Sequence, residues 1–344
     1  METHRRPPRD CEEERAAPAA ARSIAGRSPL KPGERVGSRV ALVESVGHRE
    51  GVSKALSLLR EELEALKGAR QVVVKPNFVS AWRKLSATPV DAVRAVLDVV
   101  ARHYKGTVIV AEAPALGTFS EALRSFGYLS LAEEYDVEFL DLGEDDYEVV
   151  EIWDSRFRRG VRVRVSRTVL ESDYLISVVR PKTHDTVVVT LTIKNVVMGA
   201  VQPGWRRLVH QGYAAINLNI AYLARLMKIK LAVVDGYVGM EGNGPVGGEP
   251  VELGVALAGA DPLAVDSMAT RLMGFKPEDV GYLYYLKLMG YGHMELDEIE
   301  IIGLKDWERY VKKFRPHRTY RAQLRWKEGI VEALRELGIA PGTG

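Results

Sequence analysis

A doubly wound α/β fold, a mostly parallel sheet with helices on both faces, is what this sequence predicts. Three observations carry that prediction. Short apolar runs rich in Val, Ile and Leu alternate with longer runs whose apolar residues recur at helical spacing. The short runs are nearly continuous rather than alternating, as strands covered on both sides require. Polar residues cluster just beyond several of them, where ligands sit in open parallel sheets.

Taken in order, residues 1–37 mix Arg, Glu, Ala and Pro without periodicity and read as a disordered tail. The first strand is "RVALVESV" (39–46). A helix follows over "GVSKALSLLREELEALKG" (51–68), with the final Gly at its C-cap. "RQVVVKPN" (70–77) is a strand. "TPVDAVRAVLDVVARHY" (88–104) is a helix with Thr88 as N-cap and Pro89 in the first helical position. "GTVIVAEA" (106–113) is the next strand. Short helices fit "SEALRSFG" and "SLAEEY", and a strand fits "VEFLDL" (137–142). "DYEVVEIW" and "GVRVRVS" alternate as a small antiparallel ribbon does. Beyond the ribbon lie a strand (172–179), a buried helix opening in "LTIKNVVMGAV", and a helix over 213–227. Strands over 228–236 and 252–260 precede a helix over 261–274 capped by Asp261. Asp261 and Asp266 read as structural. No linker interrupts 38–300, which is read as a single α/β domain; 301–344 form a charged, partly helical C-terminal extension.

Composition excludes several classes. The 344 residues are 46% hydrophobic and 27% charged, with a formal net charge of +2, so no global charge calls for a nucleic acid or membrane surface. Nucleic acid is therefore an unlikely partner. The single cysteine, Cys11, rules out an intrachain disulfide and an all-cysteine metal or iron–sulfur site. No apolar run is long enough to span a bilayer and the N-terminus has no apolar signal core, so a cytoplasmic location is expected. Scarce Asn and Gln beside plentiful Val, Arg and Glu lean towards a thermophilic composition.

The chemistry collects at four strand ends: Lys75-Pro76-Asn77, Glu112 to Pro114, Arg180 to His184, and Asp235-Gly236 leading into "MEGNGPVGG". Ionisable groups in so apolar a setting must be paired, solvated or used. A lysine near other cations, such as Lys182, has a lowered pKa and can be a base or nucleophile; equally, it can neutralise a carboxylate or phosphate. His184 suits proton transfer or metal ligation. Lys194 and Asn195 open the buried helix, where they could face a ligand or merely serve the helix. His210 becomes a further acid–base or metal-binding group if its loop folds over the site. Asp235 and Glu241 could offer oxygen ligands to a divalent metal ion, the one cofactor these residues suggest. Gly242 and Gly244 read as part of a glycine loop admitting the ligand. That loop matches neither the P-loop nor the dinucleotide fingerprint, which disfavours ATP or NAD binding through them.

Together K-P-N (75–77), T-P (88–89), K-T-H (182–184), T-x-x-x-K-N (190–195), His210, D-G (235–236), M-E-G-x-G-P (240–245) and D-P-x-A-V-D (261–266) resemble the family catalogued as domain of unknown function 362, over roughly residues 38–290. The resemblance implies that Lys75, Asn77, Lys182, His184, Lys194, Asn195, His210, Asp235 and Glu241 converge. Many relatives carry a ferredoxin-like segment with cysteine clusters; that segment is absent here, so no intrinsic iron–sulfur cluster is expected. The leading expectation is an enzyme acting on a small anionic substrate, carboxylate or phosphate, by Lys/His acid–base chemistry with metal assistance. Lys75, Asn77, Asn195, Gly242 and Gly244 would bind the substrate; Lys182, His184, Lys194 and His210 would act on it. The alternative is a non-catalytic redox accessory that docks to a separate ferredoxin-type protein.

Overall fold

The computed structural model describes residues 37–339, so residues 1–36 of the expected tail lie outside the described residues. Among the described residues, twelve strands appear in chain order: β1 (Ser38–Glu44), β2 (Val72–Lys75), β3 (Val108–Glu112), β4 (Val137–Asp141), β5 (Tyr147–Trp153), β6 (Arg159–Ser166), β7 (Tyr174–Val179), β8 (Lys182–Thr183), β9 (Val189–Thr190), β10 (Ile229–Asn243), β11 (Gly247–Gly259) and β12 (Ile299–Gly303). The main sheet runs β12-β1-β11-β10-β7-β2-β3-β4, with β8 and β9 attached beside β10. Its neighbours are parallel except around β11, which is antiparallel to both β1 and β10. β5 and β6 form the separate antiparallel ribbon. The α/β architecture therefore matches the reading of the sequence.

Strand periodicity explains the two cores. Val72 and Val74 face a layer that includes the helices His48–Ser57 and Val90–His103. Val73, between them, faces the opposite layer with Thr192–Ala200, Gly212–Leu226 and Pro262–Leu272. All six residues of β7 are buried, as befits a strand between two parallel neighbours under helices on both faces. Among the described residues, no helix is long and apolar enough to cross a membrane.

Several elements differ from the sequence reading. The stretch over 240–248 is not a loop but the outer half of a long β10–β11 hairpin, with Glu241 paired to Glu249 and Gly242 to Gly248. Glycine permits this: a Cβ on Gly236 would meet the Val255 carbonyl oxygen at 2.7 Å. The helix expected over 51–68 breaks after Ser57 into short helical turns, Arg60–Leu63 and Glu64–Gly68. Thr88 does not cap a helix. Pro89 takes the N-cap, while the Thr88 hydroxyl accepts from Asn77 N at 2.9 Å and donates to Val178 O at 2.8 Å, tying the ends of β2 and β7 together. Asp261 does cap its helix, accepting from Leu263 N and Ala264 N. β12 falls in the segment read as the junction with the C-terminal extension; it adds to the sheet edge beside β1. Beyond it the chain packs back onto the core through Phe314 and Trp326, both buried.

Candidate functional site

At the carboxyl ends of β2 and β7, polar side chains meet beneath the helix Thr192–Ala200. Lys75 Nζ donates to Glu112 Oε2 at 2.5 Å, to Asn195 Oδ1 at 3.0 Å and to Pro76 O at 2.9 Å, so its three protons are all committed. Asn195 in turn donates to Lys75 O and Ser177 Oγ, both at 3.1 Å, and its Oδ1 also accepts from Asn77 Nδ2. Asn77 Oδ1 accepts from Lys182 Nζ, whose second bond goes to Ser86 O at 2.9 Å. Glu112 is satisfied on both oxygens, by Phe78 N and Ala113 N as well as by Lys75. Residues from four distant segments thus form one buried network.

The helix bearing Lys194 and Asn195 is fixed at its start by Asp266, which accepts from Thr192 N at 2.9 Å, Thr192 Oγ1 at 2.6 Å and Ile193 N at 3.0 Å. Burial nonetheless raises the Asp266 pKa to about 7. Further along, Gly199 passes so close to Lys75 that a Cβ would overlap Lys75 Cε and Nζ. Gly199→Ala should therefore lose about 1–3 kcal/mol in urea unfolding despite alanine's better helix propensity, because a buried ammonium must shift. A gain in stability would show that Lys75 can move freely.

Lys194 differs from its neighbours. It is 7% exposed, yet its ammonium has no hydrogen-bond or salt-bridge partner among the described residues. Burial, with Arg206 and Lys75 adding repulsion against the pull of Asp185, lowers its pKa to about 8. Burial pushes Lys182 well below the usual lysine range, reinforced by Arg180 and Lys194. His184 is held well below its usual value by burial, then by Lys194, His210, His317 and Lys182, and is neutral at neutral pH. Its Nδ1 accepts from Thr186 N at 3.0 Å, which assigns the ring proton to Nε2. Among the described residues, Arg180 and Arg206 donate only to carbonyl oxygens. Among the described residues, none of Lys182, Lys194, Arg180 and Arg206 has a carboxylate within salt-bridge distance. Of the carboxylates nearby, Glu112 is spent on Lys75 and Asp185 lies 3.0 Å from His184 Nδ1, so these four cations have no matching anion in contact.

His210 lies at the exposed rim, with Nδ1 3.0 Å from Arg206 O; that carbonyl can only accept, so Nδ1 carries the proton and Nε2 is left open. Its charge reaches His184, and it in turn feels that of Lys194. The remaining candidates sit elsewhere. Asp235 is 2.7 Å from His48 Nδ1 and accepts from Tyr237 N. Glu241 accepts from Arg315 N and faces the Arg315 guanidinium. Each carboxylate is thus occupied by a different partner, and among the described residues no group of three or more His, Cys, Asp or Glu is placed to hold a metal ion. Gly242, at φ +76°, donates to Arg315 O, and a Cβ on Gly244 would collide with the Thr183 backbone. Both glycines serve close backbone packing of the hairpin.

Several participants carry no motif in the sequence. Glu112 is visible there only as a polar strand end. Ser177 is hidden inside an apolar strand. Gln323 and His317 come from the C-terminal segment: Gln323 donates to His184 O at 2.8 Å and accepts from Val188 N, bracketing the turn that carries His184. Val188 sits at φ +67°, a strained conformation for a β-branched residue, and this bond helps hold it.

Fold and site together define the class: a mostly parallel α/β protein whose central strand ends carry a buried lysine, asparagine and histidine cluster. The model of the family described as Domain of unknown function (DUF362) matches residues 72–271, more than half the chain, and the protein belongs to that family. Thylakoid-associated protein sll1697 of Synechocystis sp. is 25% identical over 253 residues, covering 70% of this chain and 76% of that protein. Among solved structures, the lactate racemase apoprotein from Thermoanaerobacterium thermosaccharolyticum is similar with a TM-score of 0.43 at 13% identity, over 90% of this chain and 92% of that one.

Proposed function

We propose that the protein is an enzyme that binds a small carboxylate or phosphate against Lys194 and Lys182 and moves a proton with His184 and His210. The observation supporting this is the Lys194 ammonium, unpartnered among the described residues on a largely buried side chain, amid further cations that have no carboxylate within salt-bridge distance. Holding a partly desolvated charge without a counter-ion costs the fold stability, and functional sites are where such costs persist. An anionic ligand supplies the missing charge.

The division of labour follows from hydrogen bonding. Lys75, fully committed to Glu112, Asn195 and Pro76, positions Asn195 and through it Asn77. Neutral His184 offers Nε2–H to a substrate oxygen, while the open Nε2 of His210 accepts a proton. Lys182 donates to Asn77 Oδ1 and Ser86 O, and the third N–H of its ammonium is left for the anion. Calorimetric titration with a panel of small carboxylates and phosphates tests the reading. Lys182→Ala and His184→Ala should each weaken binding at least about tenfold, the loss of one charge-assisted or polar contact. Equal binding by both variants would contradict it.

A further inference from the structure

We infer that Lys194 is a nucleophile that condenses with the carbonyl of a small 2-oxo acid to form an imine. This rests on the anion-binding reading above and names its substrate class. An amine that forms an imine must be held in place, able to move onto the carbonyl carbon, and able to lose its proton near neutral pH. Lys194 is unpartnered among the described residues, whereas Lys75 and Lys182 are tied to fixed acceptors. Its position is set by the first turn of a helix anchored on buried Asp266. The same cationic surroundings that favour its neutral form attract a carboxylate, and a 2-oxo acid carries its carbonyl next to that carboxylate.

The step balances without an added reactant. His210 Nε2 takes the ammonium proton of Lys194, giving the free amine. The Nζ lone pair forms the C–N bond as the carbonyl π pair moves to oxygen. The two remaining Nζ protons leave with that oxygen as water, producing the imine. His210 can return its proton to the imine nitrogen. His184 Nε2–H hydrogen-bonds the substrate carboxylate or carbonyl oxygen throughout.

The test uses the full-length protein with pyruvate and cyanoborohydride, followed by peptide mapping, alongside calorimetry with oxalate, an anion lacking a reactive ketone or aldehyde. One reduced adduct is expected on Lys194, suppressed by oxalate and increasing roughly tenfold from pH 6 to pH 7 as the neutral amine becomes available. Oxalate binding without an adduct, or adducts scattered over surface lysines, overturns the imine and leaves the anion-binding reading standing. Failure of both oxalate and pyruvate to bind removes both. Lys194→Met should form no such adduct; should that variant fail to fold, the mapped adduct on the native chain still decides the question.

Discussion

Exchanging Glu112 for glutamine is expected to destabilise the protein by roughly 3–5 kcal/mol in urea unfolding, the usual cost of stranding a buried charge. Lys75 and Glu112 are both buried and joined at 2.5 Å, deep between β2, β3 and the helix Thr192–Ala200. Burial, with a smaller push from Arg206, lowers the Lys75 pKa, and Glu112 is what opposes that drift. Glutamine keeps the volume and removes the counter-charge. Lys75→Met combined with Glu112→Gln should recover much of the loss, since neither charge then remains. Failure of the single variant to lose stability would mean that Lys75 is already neutral and that the pair does not organise the site.

Lys194→Met is expected to do the opposite in the ligand-free protein. An unpaired ammonium on a largely buried side chain, with its pKa lowered to about 8, costs the fold up to about 3 kcal/mol at pH 7, at roughly 1.4 kcal/mol for each tenfold loss of proton affinity. Methionine fills similar space without that charge. The variant should unfold at higher temperature and bind no small anion, the combination expected where function is held at the expense of stability. The pH dependence carries the sign. Between about pH 8 and the ordinary lysine value near 10.5, the unfolded chain holds a proton that folded Lys194 has released, so wild-type stability rises across that window. The variant should lack this contribution. A destabilised variant would show that Lys194 has a partner in solution.

The parallel sheet is readable from the sequence because strands buried on both faces must be apolar throughout, as β2 and β7 are. The gathering of Lys75, Asn77, Lys182, His184, Lys194 and Asn195 is readable for a related reason: polar residues next to buried strand ends have few places to go. What each lysine does is not readable. Lys75 is consumed by Glu112, a partner on a neighbouring strand, and nothing in either segment announces the pair. The β10–β11 hairpin is missed because backbone pairing through glycine leaves no apolar run. Asp235 and Glu241 follow one another closely in sequence, yet Asp235 sits with His48 and Glu241 with Arg315. The bracing of His184 by Gln323 joins residues 139 positions apart, beyond any local pattern.

The most direct measurement of the central claim is the affinity of the native protein for oxalate at pH 7 and pH 9. If the unpaired Lys194 ammonium anchors the anion, binding should weaken by about tenfold as that amine loses its proton. Affinity that does not change over this range, or no binding at either pH, would contradict it.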